Sequence, residues 1–228
     1  MTCSAPAADE WAAGLIVLPG VYRPQADTRL LAAALGDEEL GPRTEVLEIG
    51  TGTGALALHA ARRGARVTAV DISWPAVVTA RLNALRRRLP LRVLHGDFAA
   101  RTARLRFDLV IANPPYVPAP LIRLPSHGPE RAWDAGPDGR TVVDRICSAA
   151  PALLRPGGAL LIVQSRMCGP QQTVDRLAEA RLAAEITATA SVPWGPVLRS
   201  RRAWLESQGL AAEAEQREEL VIIRARRP

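Results

Sequence analysis

Thr44-Glu45-Val46-Leu47-Glu48-Ile49-Gly50-Thr51-Gly52-Thr53-Gly54-Ala55-Leu56-Ala57-Leu58-His59-Ala60-Ala61-Arg62-Arg63 is the stretch that decides the fold. Its first six residues read as a short strand, and a loop carrying Gly50, Gly52 and Gly54 follows. The Ala- and Leu-rich run from Ala55 reads as a helix that Gly64 stops. Strand, glycine-rich loop and helix together make a nucleotide-binding layout. Glycine lets the backbone come close to a ligand, and the first turn of a helix offers N–H groups with no partner inside the helix. Gly50 and Gly52 are the candidate contact points. The next strand, residues 66–70, ends in Asp71, where a carboxylate can bind ribose hydroxyls.

Working outward, the cofactor has to be chosen. Gly50-x-Gly52-x-x-Ala55 also fits the relaxed dinucleotide fingerprint. Three features favour S-adenosylmethionine instead. Glu48 puts a carboxylate at the loop, unsuited to a pyrophosphate and suited to a cationic aminoacyl group. A third strand, residues 91–95, is followed by Gly96-Asp97-Phe98, an acid and an apolar neighbour fit for adenine. A fourth apolar strand, residues 107–112, delivers Asn113-Pro114-Pro115-Tyr116. Each proline fixes its own φ and restricts the residue before it to extended geometry, so this segment is a stiff platform at a strand end. Asn113 Oδ1 and the Pro114 carbonyl can accept both N–H groups of a primary amide or exocyclic amine while the Tyr116 ring stacks on its plane. Such a grip aims the nitrogen lone pair at an electrophile and favours the positive charge growing there.

These segments resemble class I S-adenosylmethionine-dependent methyltransferases. More narrowly, they are similar to the HemK family, whose members methylate the side-chain amide of glutamine in peptide-chain release factors. Tyr22-Arg23-Pro24-Gln25-Ala26-Asp27-Thr28 resembles the family's opening motif, with a Thr that precedes a helix. Residues 130–140 resemble its Trp- and Gly-rich stretch. The likeness runs from about Gly20 to about Ile186 and fits the short type that lacks a separate N-terminal substrate domain. It implies a doubly wound α/β fold with a seven-stranded, mostly parallel sheet and an antiparallel last strand at residues 220–224. It implies that Thr28, Glu48, Gly50, Gly52, Asp71, Asp97, Phe98 and Asn113 line the cofactor site. Asn113, Pro114 and Tyr116 would hold the acceptor, and a small activating subunit would be a partner.

The platform is shared with enzymes that methylate base amines, so a nucleic-acid amine and a small-molecule amine or amide remain as alternative acceptors. The 228 residues carry a net charge of +6, which invites a nucleic-acid partner. However, all 29 basic side chains are arginine, the mark of a GC-rich coding bias rather than of a basic groove. Residues 117–140, rich in Pro and Gly, read as a lid over the substrate. The lid holds one aromatic ring, Trp133, which is little with which to stack bases. A release factor is therefore expected ahead of nucleic acid.

Residues 1–19 are expected to be a flexible leader and 20–228 the catalytic domain. No apolar run is long enough to span a membrane, and the N-terminus has no basic region with an apolar core behind it. Cys3, Cys147 and Cys168 are scattered, as are His59, His95 and His127, so no metal site is expected and a cytoplasmic setting is. Helices are expected at 142–154 and 170–180, strands at 159–164 and 185–191, and a turn at Pro156-Gly157-Gly158. Residues 194–206 read as an amphipathic basic helix, either packed on the sheet through Val197, Trp204 and Leu205 or docking a partner.

Overall fold

The computed structural model describes residues 12–228. Helices α1 (Ala26–Gly36), α2 (Ala55–Arg62), α3 (Trp74–Arg87), α4 (Phe98–Thr102), α5 (Thr141–Leu153) and α6 (Pro170–Glu179) alternate with strands β1 (Glu45–Ile49), β2 (Arg66–Asp71), β3 (Leu91–His95), β4 (Phe107–Ala112), β5 (Leu154–Ser165) and β6 (Ala183–Pro193). Two short helices, α7 (Pro196–Ser200) and α8 (Arg202–Ser207), precede β7 (Arg217–Arg226). The seven strands form one sheet in the order β3-β2-β1-β4-β5-β7-β6. The contacts from β3 through to β5 are parallel, and β7 is antiparallel to both β5 and β6. The expected fold class is thus observed.

Strand β1 shows why. Val46, Leu47, Glu48 and Ile49 are all buried, as a central parallel strand covered on both faces must be. Leu47 and Ile49 pack on one side with Val143, Ile146 and Leu177 of α5 and α6. Val46 packs on the other with Leu31, Leu35, Leu56 and Ala60 of α1 and α2. The period of two splits one apolar run between two helical layers. Helix α5 answers with Val143, Ile146, Cys147, Ala150 and Leu153 on a single buried stripe.

Two expectations need correction. The Pro156-Gly157-Gly158 turn lies within β5, where the register against β4 shifts between Phe107 and Leu109. A Cβ on Gly158 would stand 3.0 Å from the carbonyl oxygens of Arg155 and Phe107, so a side chain there would crowd the strand at this irregularity. Thr28 lies inside the first turn of α1 rather than before the helix. Of the expected leader, residues 1–11, and Cys3 among them, lie outside the described residues. Ile16 is tied down. Buried Asn83 accepts from its N–H at 2.8 Å and donates to its carbonyl at 2.9 Å, because a fully buried amide needs partners. None of the described helices is long and apolar enough to cross a membrane.

Candidate functional site

The strand order reverses between β1 and β4. A cavity of about 830 Å³ opens at the carboxyl ends of these strands, where such sheets bind ligands. Thr28, Glu48, Gly50 and Gly52 line it, as do Asp71, Asp97 and Phe98, and so do Asn113, Pro114 and Tyr116. All ten expected site residues therefore meet at one place.

One arm of the cavity is built by the glycine loop. Gly50 (φ 72°) and Gly54 (φ 79°) take left-handed conformations open to glycine at little cost. A Cβ on Gly54 would sit 3.1 Å from Ala80 Cβ, so the loop also needs glycine to pack on α3. Asp71 braces this loop: its carboxylate accepts from Gly52 N at 2.9 Å and Ser73 N at 2.8 Å. Burial raises its pKa, opposed by those two bonds. Glu48 is 3% exposed and accepts from Ala57 N at 3.1 Å and from the Thr51 hydroxyl. Burial pushes its carboxyl up to about 8, with the Asp71 charge adding to the rise and the two hydrogen bonds opposing it.

That shift gives a stability test. The folded-state value lies above the ordinary 4.5, so the protonated form is the favoured one in the fold. This contribution is full below about pH 4.5 and is lost as the pH rises through about 8. Glu48→Gln is expected to melt close to the wild type at low pH and above it in alkaline buffer, with ~2–4 °C for each kcal/mol regained. Thermal melting across that range checks it, and parallel curves for the two proteins would refute the assignment.

Asp97 caps α4, accepting from Ala100 N at 3.2 Å, and is paired with Arg145. Burial raises its pKa, but the Arg145 hydrogen bond and the backbone N–H outweigh that and hold it below the ordinary value. The Arg145 guanidinium also lies 5.3 Å from the centre of the buried Phe98 ring.

The other arm centres on a residue that the sequence reading passed over, Asp27. It is 4% exposed. Its Oδ1 accepts from Thr28 N at 2.6 Å and from the Thr28 hydroxyl at 3.1 Å. Its Oδ2 accepts from the Tyr22 hydroxyl at 2.9 Å, Asn113 Nδ2 at 3.0 Å and the Tyr116 hydroxyl at 3.2 Å. Burial and the Asp27 charge raise the pKa of both tyrosines, which stay protonated and able to donate. A carboxylate can face only the amino end of an amide. Asp27 therefore fixes which way Asn113 points and leaves its Oδ1 as an acceptor. Glu218 on β7 also lines the cavity. Both acids carried a faint signal: Asp27 adjoins Thr28, and Glu218 stands two residues before buried Leu220, in phase with it on a strand.

The lid is stitched at its ends. Val117 N donates to Trp133 O at 2.7 Å, and Ala119 N to Gly136 O at 2.9 Å. Arg201 donates to Pro118 O at 2.9 Å and to Asp134 at 2.6 Å, linking the lid to the segment around α7 and α8. That segment packs through Trp194, Leu198 and Leu205, with Trp204 alongside. Val197, expected to pack there, lines the cavity instead. His127 bonds Ser126 in the exposed part of the lid.

Residues 14–120 match the model of the methyltransferase small domain family. The chain is 33% identical over 177 residues to a protein of Methanocaldococcus jannaschii provisionally named a protein N5-glutamine methyltransferase, covering 77% of this chain and 88% of that one. It is 41% identical over 156 residues to the release factor glutamine methyltransferase of Moorella thermoacetica, covering 64% of this chain and 55% of the relative. Against the same enzyme of Mycobacterium tuberculosis (strain H37Rv) it is 32% identical over 205 residues, covering 83% and 66%. The chain thus spans about half to two thirds of these bacterial relatives. Among solved structures, E. cuniculi Mtq2, in complex with Trm112 and responsible for methylating the eRF1 termination factor, superposes with a TM-score of 0.64 at 22% identity, covering 92% of this chain and 99% of that one. The T. thermophilus 16S rRNA N2 G1207 methyltransferase RsmC, bound to AdoMet and guanosine, gives 0.60 at 23% identity, covering 93% and 46%.

Proposed function

For a chain that belongs to the family of protein N5-glutamine methyltransferases, we propose that this cavity transfers a methyl group to the side-chain amide nitrogen of a glutamine in a peptide-chain release factor. The observation that carries the reading is the set of acceptors around Asn113. Asp27 and Thr28 occupy its amino end, so Oδ1 is left for an incoming N–H, beside the Pro114 carbonyl.

S-adenosylmethionine is the cofactor, and bound here it supplies a methyl group on a sulfonium centre. The cavity fits it. Buried Glu48 has no cationic side chain among its hydrogen-bond partners and suits an aminoacyl ammonium, whose positive charge would favour the ionised carboxylate. Asp71 suits ribose hydroxyls, and Asp97 with Phe98 suits adenine. Gly50 and Gly52 keep the loop backbone close to the ligand, with Thr28 beside Asn113.

The acceptor arm does the rest of the chemistry by position and charge. Asn113 Oδ1 and the Pro114 carbonyl hold the two N–H groups, and the Tyr116 ring, 8% exposed, walls the pocket. That grip aims the lone pair of the amide nitrogen at the methyl donor. As positive charge grows on nitrogen, the two carbonyl oxygens and the nearby Asp27 charge stabilise it. An alkylated amide nitrogen is a strong acid, so its proton leaves without a strong base.

A cytoplasmic setting suits this reading, and buried Cys147 and Cys168 are free thiols. A small activating subunit belongs to the proposal as well. Exposed Trp74, Val78, Leu82 and Leu85 run along α3 beside β3, the open edge of the sheet, and offer such a partner an apolar surface.

The test is methyl transfer to purified release factor, to the same factor with its loop glutamine changed to alanine, and to an adenine-containing oligonucleotide. Transfer to the intact factor alone is expected. Transfer to the oligonucleotide alone would move the assignment to nucleic acid. The cofactor half is read by calorimetry: Asp71→Ala should weaken S-adenosylhomocysteine binding by about 1–3 kcal/mol, because a hydrogen bond to a charged group is lost. Heat from NAD and none from S-adenosylhomocysteine would overturn it.

A further inference from the structure

Three buried side-chain polar atoms among the described residues have no hydrogen-bond partner: Arg140 Nε, Trp194 Nε1 and Glu218 Oε1. Of these residues only Glu218 lines the cavity. It is 8% exposed and pairs across the sheet with Val192, which lines the cavity too. Burial pushes its carboxyl up to about 7, a Ser165 hydrogen bond opposes this, and the Asp27 charge adds to it. Glu218 thus shares the acceptor arm with Asp27, and its charge is felt by Tyr22 and Tyr116 as well.

An unsatisfied buried carboxyl oxygen destabilises a fold, and native proteins rarely keep one without use. The acceptor arm is already rich in acceptors. A primary amide brings two N–H groups, and Asn113 Oδ1 and the Pro114 carbonyl match both. Glu218 Oε1 is a third acceptor and calls for a third N–H. A free amide or a base amine has none left to give from the reacting group. A peptide has main-chain N–H groups close behind its side chain.

We propose that Glu218 is a specificity-determining residue of the acceptor pocket, its Oε1 accepting a main-chain N–H of the peptide segment that presents the methylated amide. The proposal rests on the peptide-amide reading above. It explains how one platform, common to several classes of amino acceptor, is narrowed to an amide carried on a polypeptide.

The experiment compares wild type with Glu218→Leu and Glu218→Gln. Steady-state kinetics with purified release factor, S-adenosylhomocysteine affinity and thermal melting are the readouts. Glu218→Leu removes the acceptor and is expected to raise KM for the release factor roughly 10–100-fold, with kcat and S-adenosylhomocysteine affinity within a few-fold. Glu218→Gln keeps one carbonyl oxygen and should recover most of that loss. Both variants should melt at or above wild type, because a buried carboxyl with one unsatisfied oxygen is gone. A KM unchanged in Glu218→Leu overturns the proposal, and so does a lowered melting temperature in both variants, which would make Glu218 a structural group. The melting arm needs no acceptor. If the release factor proved inert with wild type, the acceptor assignment would fall while melting still judged Glu218.

Discussion

Asn113→Ala is expected to lower kcat on the release factor by about 10²–10³-fold, the loss seen when one pre-placed polar group is removed from a reacting centre. Affinity for S-adenosylhomocysteine should stay within a few-fold. The asymmetry follows from where the side chain acts. Its Nδ2 is spent on Asp27 at 3.0 Å and Thr28 at 3.3 Å, and only Oδ1 meets the acceptor. The lost interaction strengthens as the nitrogen becomes positive, so the effect falls on the transition state more than on binding. Single-turnover measurement with excess enzyme separates the chemical step from product release. A variant that turns over at the wild-type rate would end the platform assignment.

Asp27→Ala is expected to damage both stability and turnover. Five donors, from Tyr22, Thr28 (twice), Asn113 and Tyr116, share its two oxygens. Removing the acceptor leaves the hydroxyls of half-buried Tyr22 and buried Tyr116, and an amide, without it. We expect a loss of about 2–4 kcal/mol, less than the sum of the separate bonds because the removed charge no longer needs burial. In a chain of this size that lowers the melting temperature by roughly 4–16 °C. Turnover should fall at least as far as in Asn113→Ala, since Asn113 then loses the group that sets its orientation. Urea denaturation and kinetics at a temperature well below the midpoint check the two effects apart. A variant as stable and active as wild type would show that the hub has no role.

The sequence carried the cofactor arm further than the acceptor arm. Glu48, Asp71, Asp97 and Asn113 each stand at or beside the end of an apolar run, and strand ends can be read from local periodicity. Parallel strands bring such ends to one edge of the sheet, so reading four strands already predicts one site. The lid resisted this approach. Its order comes from Val117 pairing with Trp133 and from Arg201 gripping Pro118 and Asp134, contacts between segments without any periodicity. The Pro156-Gly157-Gly158 segment misled for a related reason. These residues usually end an element, and here backbone bonds between Gly157, Gly158 and Arg227, just past the end of β7, carry the strand through them.

By itself the sequence determined the alternation of strands and helices, the glycine loop, the carboxylates at the strand ends and the stiffness of Asn113-Pro114-Pro115-Tyr116. These are local properties, set by side-chain period and by the fixed φ of proline. Tertiary structure alone decided that Asp27 meets Asn113 and Tyr116, 86 and 89 positions along the chain, and that Glu218 is brought from the last strand into the same cavity. An acid's role depends on which donors surround it, and that is fixed by the packing of α1 and β7 against the sheet. No short stretch of sequence contains that information.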